Sequence, residues 1–180
     1  MNRAKLNQSL AYYDAALLDY SKAISLQPDN PEFYLHRASF YFFKNEYALL
    51  LSDLNEAIRL KPDYIEALEV RSQMLYQLLN DRVSALLDIN EIIRIKPEWS
   101  EAYGQRSQFY YSGREYNLAL IDINEGIRLA PEDAKLYFLR SMIYFEIGRY
   151  DQALFDIEKT ISLEPNFPGA RNYLERIQQR

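Results

Sequence analysis

The chain has 180 residues, 48% of them hydrophobic and 26% charged, a composition typical of a folded protein rather than a disordered one. Its formal net charge of -5 argues against nucleic-acid binding, which requires lysine and arginine gathered in excess on one face. The absence of cysteine excludes disulfides, thiolate metal ligands and a cysteine nucleophile.

The first twenty residues mix charged, polar and apolar side chains, unlike the continuous apolar centre of a secretory signal. No stretch approaches the roughly 18 apolar residues that a membrane span needs. The sequence therefore predicts a cytoplasmic protein that does not bind membranes, or a segment cut from a larger chain.

Prolines recur at a nearly constant interval along the whole chain. Pro28, Pro62, Pro97, Pro131 and Pro165 lie 34, 35, 34 and 34 residues apart. A period in the thirties is typical of an array in which each copy of one supersecondary unit buries its apolar face on its neighbours. With each proline at position 32 of its repeat, the predicted units are a truncated repeat 1–30, four full repeats 31–64, 65–99, 100–133 and 134–167, and a capping helix 168–180.

Each repeat contains two segments with helical spacing, as in Leu51, Leu54 and Ile58 at i, i+3 and i+7. We expect Pro62 and its equivalents to end the second helix, and Asn30 to cap the helix that begins at Pro31. Between the two helices stand residues that tolerate a positive φ, so we predict left-handed turn residues at Asn45, Asn80, Gly113 and Gly148.

Three further features concern individual repeats. The third repeat has one extra residue, which we expect in the turn within residues 77–84 because loops accept insertions. The opening helix is predicted to be short, leaving Leu6 and Leu10 poorly covered. The capping helix is predicted to pack through an apolar stripe of Ala170, Tyr173, Leu174 and Ile177, with Arg171, Glu175, Arg176, Gln178 and Gln179 in water.

The aligned repeats resemble the tetratricopeptide repeat (TPR) family over essentially the whole chain. The fifth repeat carries the family's aromatic, small and proline positions as Tyr137, Ser141, Tyr144, Tyr150, Ala153, Thr160 and Pro165. Leu50 and Ile92 depart from it, because the family has alanine there. The resemblance implies an all-α, right-handed superhelical solenoid of helix-turn-helix repeats whose first helices line a concave groove.

One charged pair recurs in every repeat, with arginine at position 7 and aspartate at position 23. The residues are Arg3, Arg37, Arg71, Arg106 and Arg140, and Asp19, Asp53, Asp88, Asp122 and Asp156. In an antiparallel helix pair that turns near position 15, these positions are level with each other. We therefore predict a ladder of Arg–Asp pairs, within a repeat or to the adjoining one; the alternative is that the arginines bind an acidic ligand.

The resemblance implies that positions 2, 5, 9, 12 and 13 of the first helices face the groove, and the candidate residues come from positions 5, 9 and 12. The predicted peptide-binding residues are Leu35, Ser39, Phe42, Gln73, Tyr76, Gln108, Tyr111, Phe138, Met142 and Phe145. The aromatic row at position 12 suits a peptide with apolar side chains. The alternative is that these rings pack beside Tyr41, Tyr110 and Tyr144 at position 11, which we expect to be structural.

A branch of the family binds a partner's C-terminal carboxylate through lysine and other basic residues, together with asparagine, at fixed positions. In this chain those positions are occupied by Leu35, Ser39, Val70, Glu101 and Gln105. The sequence therefore predicts that this mode of recognition is absent.

His36 is the only histidine, so the sequence offers no histidine pair for a metal and no Ser-His-Asp triad. We predict no cofactor, no metal site and no catalytic residues. The predicted function is a non-enzymatic scaffold that binds a protein or peptide; the alternatives are a homo-oligomer formed through the N-terminal helix and a regulatory fragment of a multidomain protein.

Overall fold

The structure is a computed structural model that describes residues 3–180, with side chains from residue 12 onward. Within this range every regular element is an α-helix. The helices are α1 (Arg3–Leu26), α2 (Pro31–Phe43), α3 (Tyr47–Leu60), α4 (Ile65–Gln77), α5 (Arg82–Ile95), α6 (Ser100–Ser112), α7 (Tyr116–Leu129), α8 (Ala134–Glu146), α9 (Tyr150–Leu163) and α10 (Ala170–Gln178). The contacts divide the chain into two compact units, Met1–Glu91 and Ile92–Arg180.

Repeats two to five each consist of a 13-residue first helix and a 14-residue second helix. Residues 44–46, 113–115 and 147–149 join the pairs in three of these repeats, whereas the longer segment 78–81 joins α4 to α5. The extra residue of the third repeat therefore lies in the turn, as predicted, and leaves the lengths of its helices unchanged.

The predicted helix start at Pro31 is confirmed. Pro31 occupies the first turn of α2, where its missing N–H needs no partner, and the Asn30 side chain accepts a hydrogen bond of 3.0 Å from the backbone N–H of Glu32. Asp133 caps α8 in the same way through the N–H of Lys135, at 2.8 Å.

The left-handed turn residue occupies a constant place in the hairpin, and the prediction for it was wrong in one repeat. Asn45, Asn80 and Gly148 have φ values of 59°, 52° and 75° as expected. Gly113, however, has φ −83°, and Arg114 adopts the left-handed conformation with φ 59°. The hairpin geometry fixes which position turns, so a glycine one residue earlier does not move the turn.

The expectation of a short opening helix is also wrong, because α1 is one continuous helix of 24 residues. In the later hairpins, position 15 is asparagine, glycine or a strained arginine, whereas in the first repeat it is Ala11. Alanine is the strongest helix former, so nothing at this point interrupts the helix. The side chains of Leu6 and Leu10 lie outside those that the structure describes.

The core of each repeat forms where its first and second helices meet. In the fourth repeat, Ser107 donates a hydrogen bond of 2.9 Å to the backbone carbonyl of Ala119, a close approach that requires small residues at positions 8 and 20. Leu50 and Ile92, the two departures from the family pattern, are 1% and 0% exposed, so both fit the interior.

From residue 3 onward, no helix is long and apolar enough to cross a membrane.

Candidate functional site

The arginines at position 7 and the aspartates at position 23 form ion pairs inside repeats two to five, which confirms the predicted ladder. Arg37 donates from Nε and Nη2 to Asp53 at 2.7 and 2.6 Å. The same two-bond geometry joins Arg71 to Asp88, Arg106 to Asp122, and Arg140 to Asp156. The four aspartates are buried, and the hydrogen bond to Asp53 raises the pKa of Arg37. The predicted pair of the first repeat involves the Arg3 side chain, which lies outside the described residues.

The remaining guanidinium donors reach back to the preceding repeat at position 25. Nη1 of Arg37 donates to Ser21 at 3.1 Å, and Nη1 of Arg71 donates to Asn55 at 2.7 Å. In the second unit, Nη1 of Arg140 donates to Asn124 at 2.8 Å. Each of these arginines therefore links a repeat to its predecessor.

Tyrosine rings at positions 4 and 11 enclose the guanidinium groups of Arg37 and Arg140. Arg37 lies 5.8 Å from the ring centres of both Tyr34 and Tyr41, a cation–π arrangement. Arg140 lies 5.5 and 5.8 Å from Tyr137 and Tyr144. The position 11 rings are therefore structural, as predicted, and the geometry favours a structural role for the arginines over ligand binding.

The aromatic rings at position 12 contact a partner that the sequence interpretation did not name. They pack on the tyrosine at position 17, which begins the second helix of the same repeat. The ring centres are 6.4 Å apart for Phe42 and Tyr47, 6.0 Å for Tyr111 and Tyr116, and 5.5 Å for Phe145 and Tyr150. In repeats two, four and five, the ring at position 12 thus braces the turn end of the hairpin.

In the unit Met1–Glu91, the predicted binding residues differ in exposure. Phe42 is 40% exposed, and Ser39 is exposed with its hydroxyl donated to the carbonyl of His36 at 2.6 Å. Leu35 packs against the core of this unit. Gln73 and Tyr76 are half-buried.

The same unit also has an exposed aromatic surface, which we call the N-terminal aromatic surface and define by Tyr12, Tyr13, Phe42 and Phe43. Tyr12 is 64% and Phe43 56% exposed. Tyr13 stacks on Phe43 with ring centres 5.1 Å apart, and Phe42 follows at 5.8 Å. Only Phe42 was among the predicted site residues, because the candidate positions were taken from the first helices and the opening helix was expected to be short.

In the unit Ile92–Arg180, Gln108 is exposed, and Tyr111, Phe138 and Met142 are half-buried. Phe145 is only 6% exposed, because α10 lies over it. The ring of Phe145 therefore supports the capping helix and offers a ligand little area.

Two residues of α10 complete this second surface, and the sequence interpretation did not count them as site residues. Tyr173 lies 5.6 Å from Phe138 and 5.7 Å from Phe145, measured between ring centres. The Arg176 guanidinium lies 4.6 Å from the Phe145 ring centre. Tyr173 was expected to pack inward, but Arg176 was assigned to water, since its helical position alone does not reveal the ring beneath it. We call Tyr111, Phe138, Met142, Tyr173 and Arg176 the C-terminal aromatic surface.

The phenols of this surface are held in their neutral form. Burial, together with the negative charge of Glu146, raises the pKa of Tyr111. Burial also raises the pKa of Tyr173. At neutral pH both hydroxyls are therefore hydrogen-bond donors beside apolar rings, a combination suited to peptide side chains and carbonyls.

In the described part of the chain, no group of three or more potential metal ligands occurs.

Helical hairpins stacked by recurrent small residues and bridging arginines define an all-α helical-repeat protein. Two segments also match family profiles: residues 12–45 match one described as TPR repeat, and residues 134–167 match one described as tetratricopeptide repeat. These matches identify tetratricopeptide repeats in two separate parts of the chain.

Solved structures of TPR proteins share the fold. The crystal structure of MamA aligns over 92% of this chain and 96% of its own length, with a TM-score of 0.78 and 19% identity. YrrB, described as a TPR protein with an unusual peptide-binding site, aligns over 96% and 88%, with a TM-score of 0.78 and 19% identity. The first TPR of Spaghetti (RPAP3) bound to the HSP90 peptide SRMEEVD aligns over 64% and 90%, with a TM-score of 0.61 and 22% identity. The predicted all-α repeat solenoid is thereby confirmed. No curated protein matches the sequence significantly.

Proposed function

We propose that the chain is a non-catalytic protein-interaction scaffold that binds a peptide segment of a partner through the first helices of its repeats. The observation that carries this proposal is that different positions of those helices serve the fold and remain accessible to a ligand. In repeats two to five, positions 7 and 8 recur and are engaged in the fold, whereas positions 5 and 9 differ between repeats. Positions 5, 9 and 12 retain exposed or half-buried area at nine of the ten predicted residues. Side chains that the fold does not require in one form are free to specify a ligand.

Within the second unit, the C-terminal aromatic surface determines which peptide would fit. Met142 and Phe138 provide apolar area, and the neutral phenol of Tyr111 provides a donor for a backbone carbonyl. Arg176 adds a positive charge at the edge. We therefore propose a peptide with apolar or aromatic side chains and one carboxylate, since aromatic and methionine side chains dominate the buried centres of interfaces.

The acidic peptide bound by the RPAP3 domain provides a useful contrast. The positions at which the family's carboxylate-binding branch has basic and amide residues are here Leu35, Ser39, Val70, Glu101 and Gln105. An apolar side chain and an acidic one do not hold a carboxylate. We expect SRMEEVD not to bind this chain.

Selection from a random peptide library on the immobilised chain tests the proposal. The Kd of selected peptides is then measured for the variant Tyr111→Ala/Met142→Ala and for Tyr76→Ala, which probes the first unit. Phe155→Ala is the matched control, because Phe155 is an exposed aromatic residue, 66% accessible, on a second helix. We expect the first-helix variants to weaken binding at least about tenfold, the effect of losing one interface anchor, and the control to have no effect.

Equal binding to all variants would contradict a site on the first helices. Selection that yields no peptide at all would count against peptide binding itself. Sedimentation of the chain alone then tests the alternative, self-association, which requires an oligomer that grows with concentration.

A further inference from the structure

The C-terminal part of α1 is equivalent to the second helix of the later repeats. It has a face that is covered by other helices in every later repeat. At positions 20, 23 and 24 the later repeats are 0–4% exposed; these residues are Leu50, Asp53, Leu54, Ala85, Asp88, Ile89, Ala119, Asp122, Ile123, Ala153, Asp156 and Ile157. In α1 the same positions are Ala16, Asp19 and Tyr20. Asp19 is exposed there, and Ala16 and Tyr20 are only half-buried. We call these three residues, with Ala23 at position 27, the α1 face.

Asp19 differs from its four equivalents in charge pairing as well as in burial. Each of the others accepts two hydrogen bonds from an arginine of its own repeat. Among the side chains that the structure describes, none forms an ion pair with Asp19. Arg3, which has the matching position, is on the same continuous helix sixteen residues earlier, about 24 Å along its axis.

The later repeats show which element covers this face. It is a helix that carries arginine followed directly by a small residue: Arg37 and Ala38, Arg71 and Ser72, Arg106 and Ser107, or Arg140 and Ser141. The arginine binds the aspartate. The small residue is needed because the helices approach closely there, as the 2.9 Å contact between the Ser107 hydroxyl and the Ala119 carbonyl shows.

We propose that the α1 face is a docking site for an amphipathic helix of a partner protein that presents arginine followed by alanine, serine or glycine. The arginine of that helix pairs with Asp19, and the small residue lies against the backbone at Ala16. This inference does not depend on peptide binding by the first helices. It assigns a second surface, on α1, to a different class of ligand, selected by charge complementarity and by the room for a close helix approach.

Disulfide capture tests the proposal sensitively, because the chain has no cysteine of its own. The probe is a synthetic peptide with the sequence of residues 100–113, in which Ser107→Cys places a thiol at the small position. The full chain carries Ala16→Cys. Ala15→Cys is the matched control, since Ala15 is its neighbour, is exposed and lies off the face. Docking brings the two thiols of the Ala16→Cys pair within disulfide reach, so we expect about tenfold more cross-linked product than with the control.

A charge exchange then tests the role of Asp19. We expect capture to fall to the control level when the chain carries Asp19→Arg, or when the peptide carries Arg106→Asp. Combining the two changes should restore it, because the ion pair is rebuilt with reversed polarity. Asp29→Asn, an exposed carboxylate in the following turn, should leave capture unchanged, and circular dichroism checks that each chain is folded.

Equal capture at residues 15 and 16, or capture that does not respond to the charge exchange, would overturn the proposal. Sedimentation of the full chain identifies the competing occupant. If the chain dimerises, Asp19→Arg dissociates the dimer and the peptide is not captured, then a second copy occupies the α1 face and the partner helix is excluded.

Discussion

Arg140 holds Asp156 through two charge-assisted hydrogen bonds, from Nε to Oδ2 at 2.7 Å and from Nη2 to Oδ1 at 2.8 Å. The Asp156 side chain is 1% exposed and that of Arg140 is 17% exposed. A carboxylate so far from water depends on its partner, because a buried charge without compensation is strongly unfavourable. The pair therefore makes the hairpin of α8 and α9 sensitive to loss of either member.

We expect Arg140→Ala to lower the free energy of unfolding by about 3–5 kcal/mol, the usual effect of leaving a buried charge unpaired. Guanidinium-induced unfolding followed by circular dichroism measures it. The control is Glu125→Gln, which breaks the exposed pair of Glu125 with Arg128, whose side chains are 35% and 65% exposed. Solvent screens that pair, so its loss should leave the midpoint nearly unchanged.

The double variant Arg140→Met/Asp156→Leu separates pairing from burial. It removes both charges and retains apolar volume, so it should recover most of the stability lost in Arg140→Ala. A double variant as unstable as the single one would show that the stability depends on the bridge from Arg140 to Asn124 or on the tyrosine contacts, rather than on the aspartate's need for a partner.

The position of this pair could be predicted from the sequence, because arithmetic on a fixed repeat places positions 7 and 23 level with each other. The same arithmetic located the insertion before α5. It failed where local conformation decides: Ala11 continues a helix in which the repeat pattern places a turn, and Arg114 rather than Gly113 adopts a positive φ. A repeat register identifies equivalent residues, but it does not show whether each copy folds alike.

The candidate site was harder to predict from the sequence, because the position of a residue in its repeat does not show what surrounds it. Positions 5, 9 and 12 identify the first-helix residues, but the exposure of each depends on what packs over it. Phe145 is covered by α10, and Tyr173 and Arg176 come from a helix outside the repeat register. The aromatic surface around Tyr12 follows from the continuous α1, which the repeat pattern did not predict.

The left-handed turn position gives a prediction that distinguishes two neighbouring residues. Arg114 has φ 59°, a conformation that disfavours a side chain with a Cβ by roughly 1–2 kcal/mol. We expect Arg114→Gly to stabilise the protein, by about 1 kcal/mol at most, because the greater freedom of glycine in the unfolded chain offsets part of the gain. Thermal unfolding measures the change.

Gly113→Ala and Gly148→Ala serve as paired controls for the turn. Gly113 has an ordinary negative φ, so alanine there should be neutral or stabilising. Gly148 has φ 75° with open space around a built Cβ, so its replacement should destabilise through backbone strain alone. The opposite order of these two variants would contradict the assigned turn position.

Two glycines inside helices should respond differently to alanine. A Cβ at Gly126 would meet ordinary contacts at 3.4 Å or more, so Gly126→Ala should stabilise by about 1 kcal/mol through helix propensity. A Cβ at Gly104 would lie 2.8 Å from Cδ2 of Leu136, which is 4% exposed. Gly104→Ala should therefore gain nothing, because a buried leucine has to move. Urea midpoints of the two variants test this, and equal stabilisation would show that Leu136 repacks freely.

The C-terminal aromatic surface should make stability sensitive to alkaline pH. Burial raises the pKa of Tyr173 and of Tyr111 above their ordinary value of 10.0. The folded protein therefore holds these protons more tightly than the unfolded chain. Stability from these groups is complete below pH 10, where the unfolded phenols titrate, and declines as the pH rises toward the folded pKa values.

We expect the free energy of unfolding to fall as the pH rises above about 10, and to fall less steeply in Tyr173→Phe, which has no proton to lose. Guanidinium unfolding at several pH values measures the slope, and phenolate absorbance follows ionisation directly. Tyr12→Phe is the control, since Tyr12 is 64% exposed and its loss should leave the slope unchanged. An equal slope in wild type and Tyr173→Phe would mean that the Tyr173 phenol is solvated in the folded protein. In that case the Tyr173 ring would not be packed against Phe138 and Phe145, and it could not serve the C-terminal aromatic surface as a neutral donor.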